Sequence, residues 1–188
     1  MEIETPIRKA EIIDLNVGDV VYLSGTVVTA RDMAHKRALI QRKFPCAIED
    51  IPIFHSGPIV ERINDEWRIV SIGPTTSSRM NSLEVEFIER FRIKAVVGKG
   101  GMDSRVKNAM KNRAVYLAMT GGCGALYTKY IKKVRDVYWL DLGIPEAVWV
   151  LEVEKFGPLI VGIDSKGNSL YEEMENKIRR NLEMILND

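Results

Sequence analysis

The spacing of apolar residues changes several times along the chain, and each change marks an element. Residues 19–29 (DVVYLSGTVVT) are rich in Val and Thr around one glycine and read as a strand with a bend or bulge. Residues 31–43 lack Gly and Pro and are expected to be helical, ended by Pro45. Residues 51–55 form a short strand candidate, and Asn64-Asp65 marks a turn before the strand-like run 67–72 (WRIVSI). Over 81–91, Leu83, Phe87, Ile88 and Phe91 fall on one helical face, and Asn81 followed by Glu84 resembles a capping box. A short buried strand is expected at 94–97, a polar helix at 103–112, a strand at 114–119 (AVYLAM), and a helix at 124–134 with Leu126, Tyr130, Ile131 and Val134 aligned. Residues 147–153 and 158–163 read as two strands. Tyr171, Met174, Ile178, Leu182 and Ile185 form the apolar stripe of a closing helix.

This order predicts an α/β domain with a mixed sheet: parallel pairing where strands and helices alternate, plus an added antiparallel layer. No repeat, low-complexity stretch or linker interrupts it, so residues 1–188 are read as one domain. Hydrophobic residues at 46% and charged residues at 28% are those of a globular chain, which excludes disorder. The 27 basic and 26 acidic side chains leave a net charge of +1, which disfavours a nucleic-acid partner. No apolar run approaches the roughly 20 residues needed to span a bilayer. The start, Met1-Glu2-Ile3-Glu4, carries acid where a signal peptide carries base, so a cytoplasmic protein without a membrane partner is expected. Two cysteines, Cys46 and Cys123, are too few for a disulfide framework, and no pair has the spacing of a metal site. No metal site is therefore expected within the chain.

One local design occurs three times. Val70-Ser71-Ile72 runs into Gly73-Pro74-Thr75-Thr76-Ser77-Ser78-Arg79, Ala95-Val96-Val97 into Gly98-Lys99-Gly100-Gly101, and Leu117-Ala118-Met119 into Thr120-Gly121-Gly122-Cys123-Gly124. Each is a strand–glycine loop–helix unit. Such turns leave backbone N–H groups aligned with the positive end of a helix, which suits an anion. In open α/β sheets they gather at the carboxyl edge of the strands. Glycine turns also connect strands and helices where nothing binds; three together, two carrying a cation and one carrying four consecutive hydroxyls, favour a ligand. None has the spacing of a P-loop or of a dinucleotide fingerprint.

A fourth segment, 29–37 (TARDMAHKR), places Arg31 at a strand end and His35 one helical turn on. A guanidinium is a natural fork for a carboxylate. Arg31, Arg79 and Lys99 together suit a small anion with several charges, such as a dicarboxylate. His55 lies in an extended stretch and reads as structural, and Lys36 and Arg37 read as solvated. No acid–base pair or Ser-His-Asp ordering accompanies the cations, so the chain resembles a substrate clamp lacking its reactive partner.

The strings SGTVVTARDMAHKR (24–37), FHSGPIV (54–60), SIGPTTSSRM (71–80), VVGKGGM (96–102) and LGIPEAVWVLEVEKFGPLIVGIDSKGN (142–168) resemble the class I fumarase β subunit, and the similar L(+)-tartrate dehydratase β subunit. The resemblance implies a swivelling β/β/α domain and an α subunit carrying a four-iron four-sulfur cluster, one iron of which binds the substrate hydroxyl. It implies an assembly of two αβ pairs and reversible hydration of fumarate to malate, with the chain inactive alone. On this resemblance Arg31, Arg79 and Lys99 are substrate carboxylate ligands and Thr75 takes part in proton transfer, with Thr76 beside it in the substrate site. His35 matches a histidine assigned as catalytic; its alternative role is to orient Arg31 or Asp32. The chain departs from many fumarases in Ser77-Ser78 before Arg79 and in Asn81 where they carry aspartate, which leaves fumarate and tartrate both open. A stand-alone anion-binding module is the rival from another class, and a nucleotide-handling enzyme using 98–101 a weaker one.

Overall fold

In the computed structural model, which describes residues 1–187, the chain runs β1 (Glu2–Glu4), α1 (Lys9–Asp14), β2 (Val20–Thr29), α2 (Asp32–Gln41), β3 (Ile53–Phe54), β4 (Ile59–Ile63) and β5 (Glu66–Ser71). It continues through α3 (Asn81–Phe91), β6 (Ala95–Gly98), α4 (Ser104–Met110), β7 (Val115–Ala118), α5 (Gly124–Tyr127), β8 (Ile131–Tyr138), β9 (Val148–Ile163) and α6 (Leu170–Asn187). β1, β2, β3, β6 and β7 lie side by side in parallel. β9 is antiparallel to β7 and also to β2, so the pairings β2–β3–β6–β7–β9–β2 form a ring, with β8 attached to the outside of β9.

Because successive side chains of a strand point to opposite faces, the ring separates two cores. Ala95 and Val97 of β6, Val115 and Leu117 of β7, and Trp149, Leu151 and Val153 of β9 enter the first, with Val21, Leu23 and Val27 of β2. Val96, Tyr116 and Val148 enter the second, where they meet Ala34 and Ala38 of α2, Phe87 and Ile88 of α3, and Val106 and Met110 of α4. Burying each large aliphatic or aromatic side chain contributes about 1.5–3 kcal/mol. Three helices are thereby fixed on one flank of the parallel strands, at whose ends the glycine loops lie.

The expected α/β domain with a mixed sheet is what the structure shows: a parallel centre and an antiparallel addition. Residues 81–91 are helical as expected, and α4 opens on Asp103, whose carboxylate accepts from the N–H of Arg105 (3.0 Å) and Val106 (3.1 Å). The hairpin β4–β5 turns at Asn64 and Asp65, both with positive φ. Other expectations change. The helix expected at 124–134 stops at Tyr127, and Ile131 begins β8. Its apolar residues Ile131, Val134 and Val137 are three apart, a helical spacing, yet the register shifts twice between them. Each shift adds a residue, so all three reach the same core. The two strands expected at 147–153 and 158–163 are one sixteen-residue strand, β9, bulged twice opposite Val21–Gly25.

The capping box is absent. Asn81 continues from a 3-10 turn at Ser77–Met80, and Glu84 turns into the core. The closing helix forms, but Met174, Ile178, Leu182 and Ile185 are exposed, and Tyr171, edge-on to Tyr116, is where its stripe meets the body. β1 and α1, for which no element was expected, seal the ring with Ile3, Ile7, Ile12 and Leu15.

At Gly57 a β-carbon would stand within 2.9 Å of three backbone atoms of Pro145. Backbone on both sides leaves no flexible group to yield. Gly57→Ala is therefore expected to cost about 1–3 kcal/mol and to lower the thermal midpoint by several degrees, measurable by calorimetry; an unchanged midpoint would show that the two segments do not abut.

Candidate functional site

β2, β3, β6 and β7 run parallel, so the segments leaving them emerge on one side, where a ladder of backbone hydrogen bonds joins them. The Ala30 N–H donates to Phe54 O (3.0 Å), His55 N–H to Val97 O (2.8 Å), and Thr75 N–H to His55 O (2.6 Å). Lys99 N–H donates to Thr75 O (3.2 Å), Ser77 N–H to Lys99 O (3.0 Å), and Met119 N–H to Gly98 O (2.7 Å). The loop 73–79 thus lies as an added strand beside the loop 98–101. Gly98 permits this, because a β-carbon there would overlap the Ser77 hydroxyl. The third loop joins through Gly124, whose carbonyl accepts from Ile72 N–H (3.1 Å).

The structure brings Arg31, Thr75, Thr76, Arg79 and Lys99 to this edge. Thr75 and Thr76 are half-buried and Arg79 is exposed. Lys99 lies along the third loop, where a β-carbon on Gly121 would sit 3.3 Å from Lys99 Cδ. Among the described residues neither Arg79 nor Lys99 makes an ion pair, although most arginines of the chain do. Arg31 is held: its guanidinium is 3.1 Å from Glu146 Oε1, while Glu146 Oε2 accepts from Met33 N–H at 3.0 Å. Its Nε is buried without a partner.

His35 is placed differently from the edge residues. It is fully buried beneath them, packed on Phe87 with ring centroids 4.2 Å apart. Its Nδ1 is 2.9 Å from the carbonyl oxygen of Arg31 and its Nε2 3.3 Å from Glu84 Oε2. The same oxygen is 3.2 Å from His55 Nε2, and His55 Nδ1 is 2.9 Å from Ser77 Oγ. Glu84 and both histidines are 0% exposed. Burial alone would push the Glu84 carboxyl up; the His55 and His35 rings outweigh it and hold it at about 2, against an ordinary 4.5. Burial pushes His55 below its ordinary 6.5 despite the opposing pull of Glu84.

Among the described residues these three supply the one group of His, Cys and carboxylate atoms close enough to bracket a metal, all within 4.8 Å. Their N···O separations are ion-pair contacts already. Cys46 and Cys123 belong to no such group, and burial pushes the Cys46 thiol up to about 11, away from the thiolate that metals take.

Glu84, Glu146 and Ser77 were not recognised as site residues from sequence. A signal existed for Glu84, since positions 84, 87, 88 and 91 share one helical face and an acid amid Phe87, Ile88 and Phe91 must be paired inside. Glu146, more than a hundred positions from Arg31, carried none.

The chain belongs to the family described as Fumarase C-terminus, whose model matches residues 1–174. It is 46% identical over 171 residues to L(+)-tartrate dehydratase subunit beta of Escherichia coli K12, covering 90% of this chain and 85% of that protein. A Methanocaldococcus jannaschii protein provisionally given the same name is 48% identical over 186 residues, covering 96% and 95%. A Geobacillus stearothermophilus protein provisionally named fumarate hydratase class I is 39% identical over 175 residues, 92% of this chain but 34% of that protein. No helix among the described residues is long and apolar enough to cross a membrane.

A carboxyl held down in the fold stabilises it above its unfolded pKa, and that stability is lost as pH falls through the folded value. For Glu84 the window runs from 4.5 to about 2 and is worth on the order of 3 kcal/mol. Denaturant midpoints measured from pH 6 to pH 3 should fall through this window more steeply in the wild type than in Glu84→Gln. Equal slopes would mean Glu84 is not paired.

Proposed function

We propose that this chain is the substrate-gripping β subunit of a hydro-lyase that adds or removes water in a C4 dicarboxylate, malate–fumarate or L(+)-tartrate. The observation that carries the reading is the edge itself, where Arg31, Arg79 and Lys99 stand with Thr75 and Thr76 on adjoining segments, two of the three cations unpaired. Arg31 and Arg79 offer planar forks for the two carboxylates, and Lys99 adds a point charge. The Thr75 hydroxyl moves the proton at the carbon adjacent to the one that bears the leaving hydroxyl; a lone hydroxyl is a weak base and takes its activation from a neighbouring group on the partner. His35, buried under Arg31, positions that arginine and does not meet the substrate.

The relatives' names support a partner: two are beta subunits, and in the third the matching part is 34% of one longer chain. The proposal therefore includes an α subunit, assembly as two αβ pairs in the cytoplasm, and the swivelling β/β/α type for this domain. A four-iron four-sulfur cluster on the α subunit supplies Lewis acidity at the substrate hydroxyl. Only two cysteines, Cys46 and Cys123, occur in the sequence, which supports placing it on the partner. The tartrate reading draws on the names of the relatives covered over most of their length, and the fumarate reading on the third.

Anaerobic co-expression with the α subunit, followed by absorbance at the enol or alkene product, tests this with L-malate and L-tartrate separately. Turnover of either that needs both chains is the expected outcome; a formed complex that converts neither would overturn the reading. Arg79→Ala should lower kcat/KM at least about a hundredfold while shifting stability by no more than about 0.5 kcal/mol, because the side chain is exposed. Thr75→Val should lower kcat by about 10²–10⁴ with a smaller change in KM; full activity in that variant would remove Thr75 from the proton path.

A further inference from the structure

We propose that His35, Glu84 and His55 form a buried positioning triad, with His35 carrying a proton on both ring nitrogens, that locks the Arg31 segment to the 75–77 loop. What those two segments grip rests on the function proposed above; the triad itself rests on geometry.

The carbonyl oxygen of Arg31 can only accept, so the His35 Nδ1 that lies 2.9 Å away carries hydrogen. Its Nε2 is 3.3 Å from Glu84 Oε2. An ionised carboxylate can also only accept, and a bare imidazole lone pair facing it would be repelled. In the proposed triad both nitrogens of His35 therefore carry hydrogen, and the ring stands as an imidazolium beside the Glu84 carboxylate. Charge balance favours the same. Neither oxygen of Glu84 and neither histidine Nε2 has an aligned hydrogen bond, so their contacts are electrostatic, and Asp32 adds a second carboxylate with one buried unpartnered oxygen that acts on His55. A buried acid in that condition stays ionised only beside a positive charge and otherwise takes up a proton.

His55 completes the link. Kept neutral by burial, it holds one proton, which the carboxylate 3.2 Å away draws to Nε2. Its Nδ1 then accepts from the Ser77 hydroxyl at 2.9 Å, and Ser77 Oγ accepts from the Tyr116 hydroxyl at 3.0 Å. The chain of contacts runs from the backbone of Arg31 through His35, Glu84 and His55 to Ser77, two residues after Thr75. One buried charge pair thus sets the separation of the guanidinium and the threonine loop that face outward. Only two histidines occur in the sequence, and both are in this triad.

The test is ¹⁵N spectroscopy of the histidine rings in the full-length chain at pH 7, with metal analysis of the same sample. The expected result is one ring protonated at both nitrogens and one protonated at Nε2 alone, with no stoichiometric metal. Two neutral rings, or one zinc or other divalent ion per chain bound at the Nε2 atoms, would overturn the proposal. In Glu84→Gln the doubly protonated ring should become singly protonated; a folded variant that keeps both protons would also overturn it. If that variant does not fold, the wild-type spectrum still decides. In the αβ enzyme Glu84→Gln should raise KM on the order of tenfold with a smaller change in kcat, and Glu84→Asp should restore part of the loss. Should the assembled enzyme convert neither hydroxyacid, the functional reading fails while the spectra still judge the triad.

Discussion

A carboxylate taken out of water has to be answered by charge from its own protein, and the arrangement around Glu84 follows from that requirement. Glu84 comes from α3, His35 from α2 and His55 from the end of β3. Three elements that apolar contacts alone would leave free to slide by a fraction of an ångström are therefore tied at one point. Well-packed apolar side chains of similar volume often stabilise a core as much as a buried ion pair does. They do not supply direction. Here the direction leads outward through the Arg31 carbonyl on one side and Ser77 on the other, to the edge where the unpaired cations stand.

The ring of strands explains why that edge is available. β9 pairs with both β2 and β7 and so closes the row of parallel strands β2, β3, β6 and β7 into a ring, and the loops at their carboxyl ends are left to one another. Their backbone groups are satisfied by the ladder among 55, 75, 77, 97 and 99, and side chains on the outward face owe nothing to folding. Arg79 and Lys99 can then remain unpaired, at little cost while they stay in contact with water. Stability comes from the two cores and the recognition proposed above from the edge, with the Glu84 cluster as the joint between them.

Much of this was legible in the residues. The repeated strand–glycine loop–helix design marked the edge, because glycine is required where loops approach as closely as Gly98 and Ser77 do. The bounds of α3 followed from the spacing of Phe87, Ile88 and Phe91. What sequence did not carry was non-local. Ile131, Val134 and Val137 have helical spacing, and only the pairing partner β9 reveals that bulges convert it into one face of a strand. Glu84 looked like half of a capping box because its local neighbours fit one, whereas its true partners are 49 and 29 positions away in His35 and His55. The stripe of α6 is periodic enough to expect burial, yet most of it faces outward, since amphipathic spacing states that a face is apolar and not what covers it.

The pairing of Arg31 with Glu146 bears on the charge the edge can accept. Three cations gathered around a small volume repel one another and would favour a ligand with three negative charges. Glu146, anchored to the first turn of α2 through Met33 N–H and packed beside Gly57 through its neighbour Pro145, removes one of them. Of Arg31, Arg79 and Lys99, two are then left without a paired acid among the described residues, which suits the two carboxylates of the ligand proposed above. The same contact restrains a long side chain that would otherwise lose rotamer freedom on binding, so Arg31 would meet the proposed dicarboxylate already oriented. A guanidinium has two edges and five N–H groups, and engaging one edge with Glu146 leaves the rest of the fork for a second carboxylate. On this account the acid does not compete with the substrate; it tunes the field and holds the fork, while the triad beneath holds the backbone from which that fork projects.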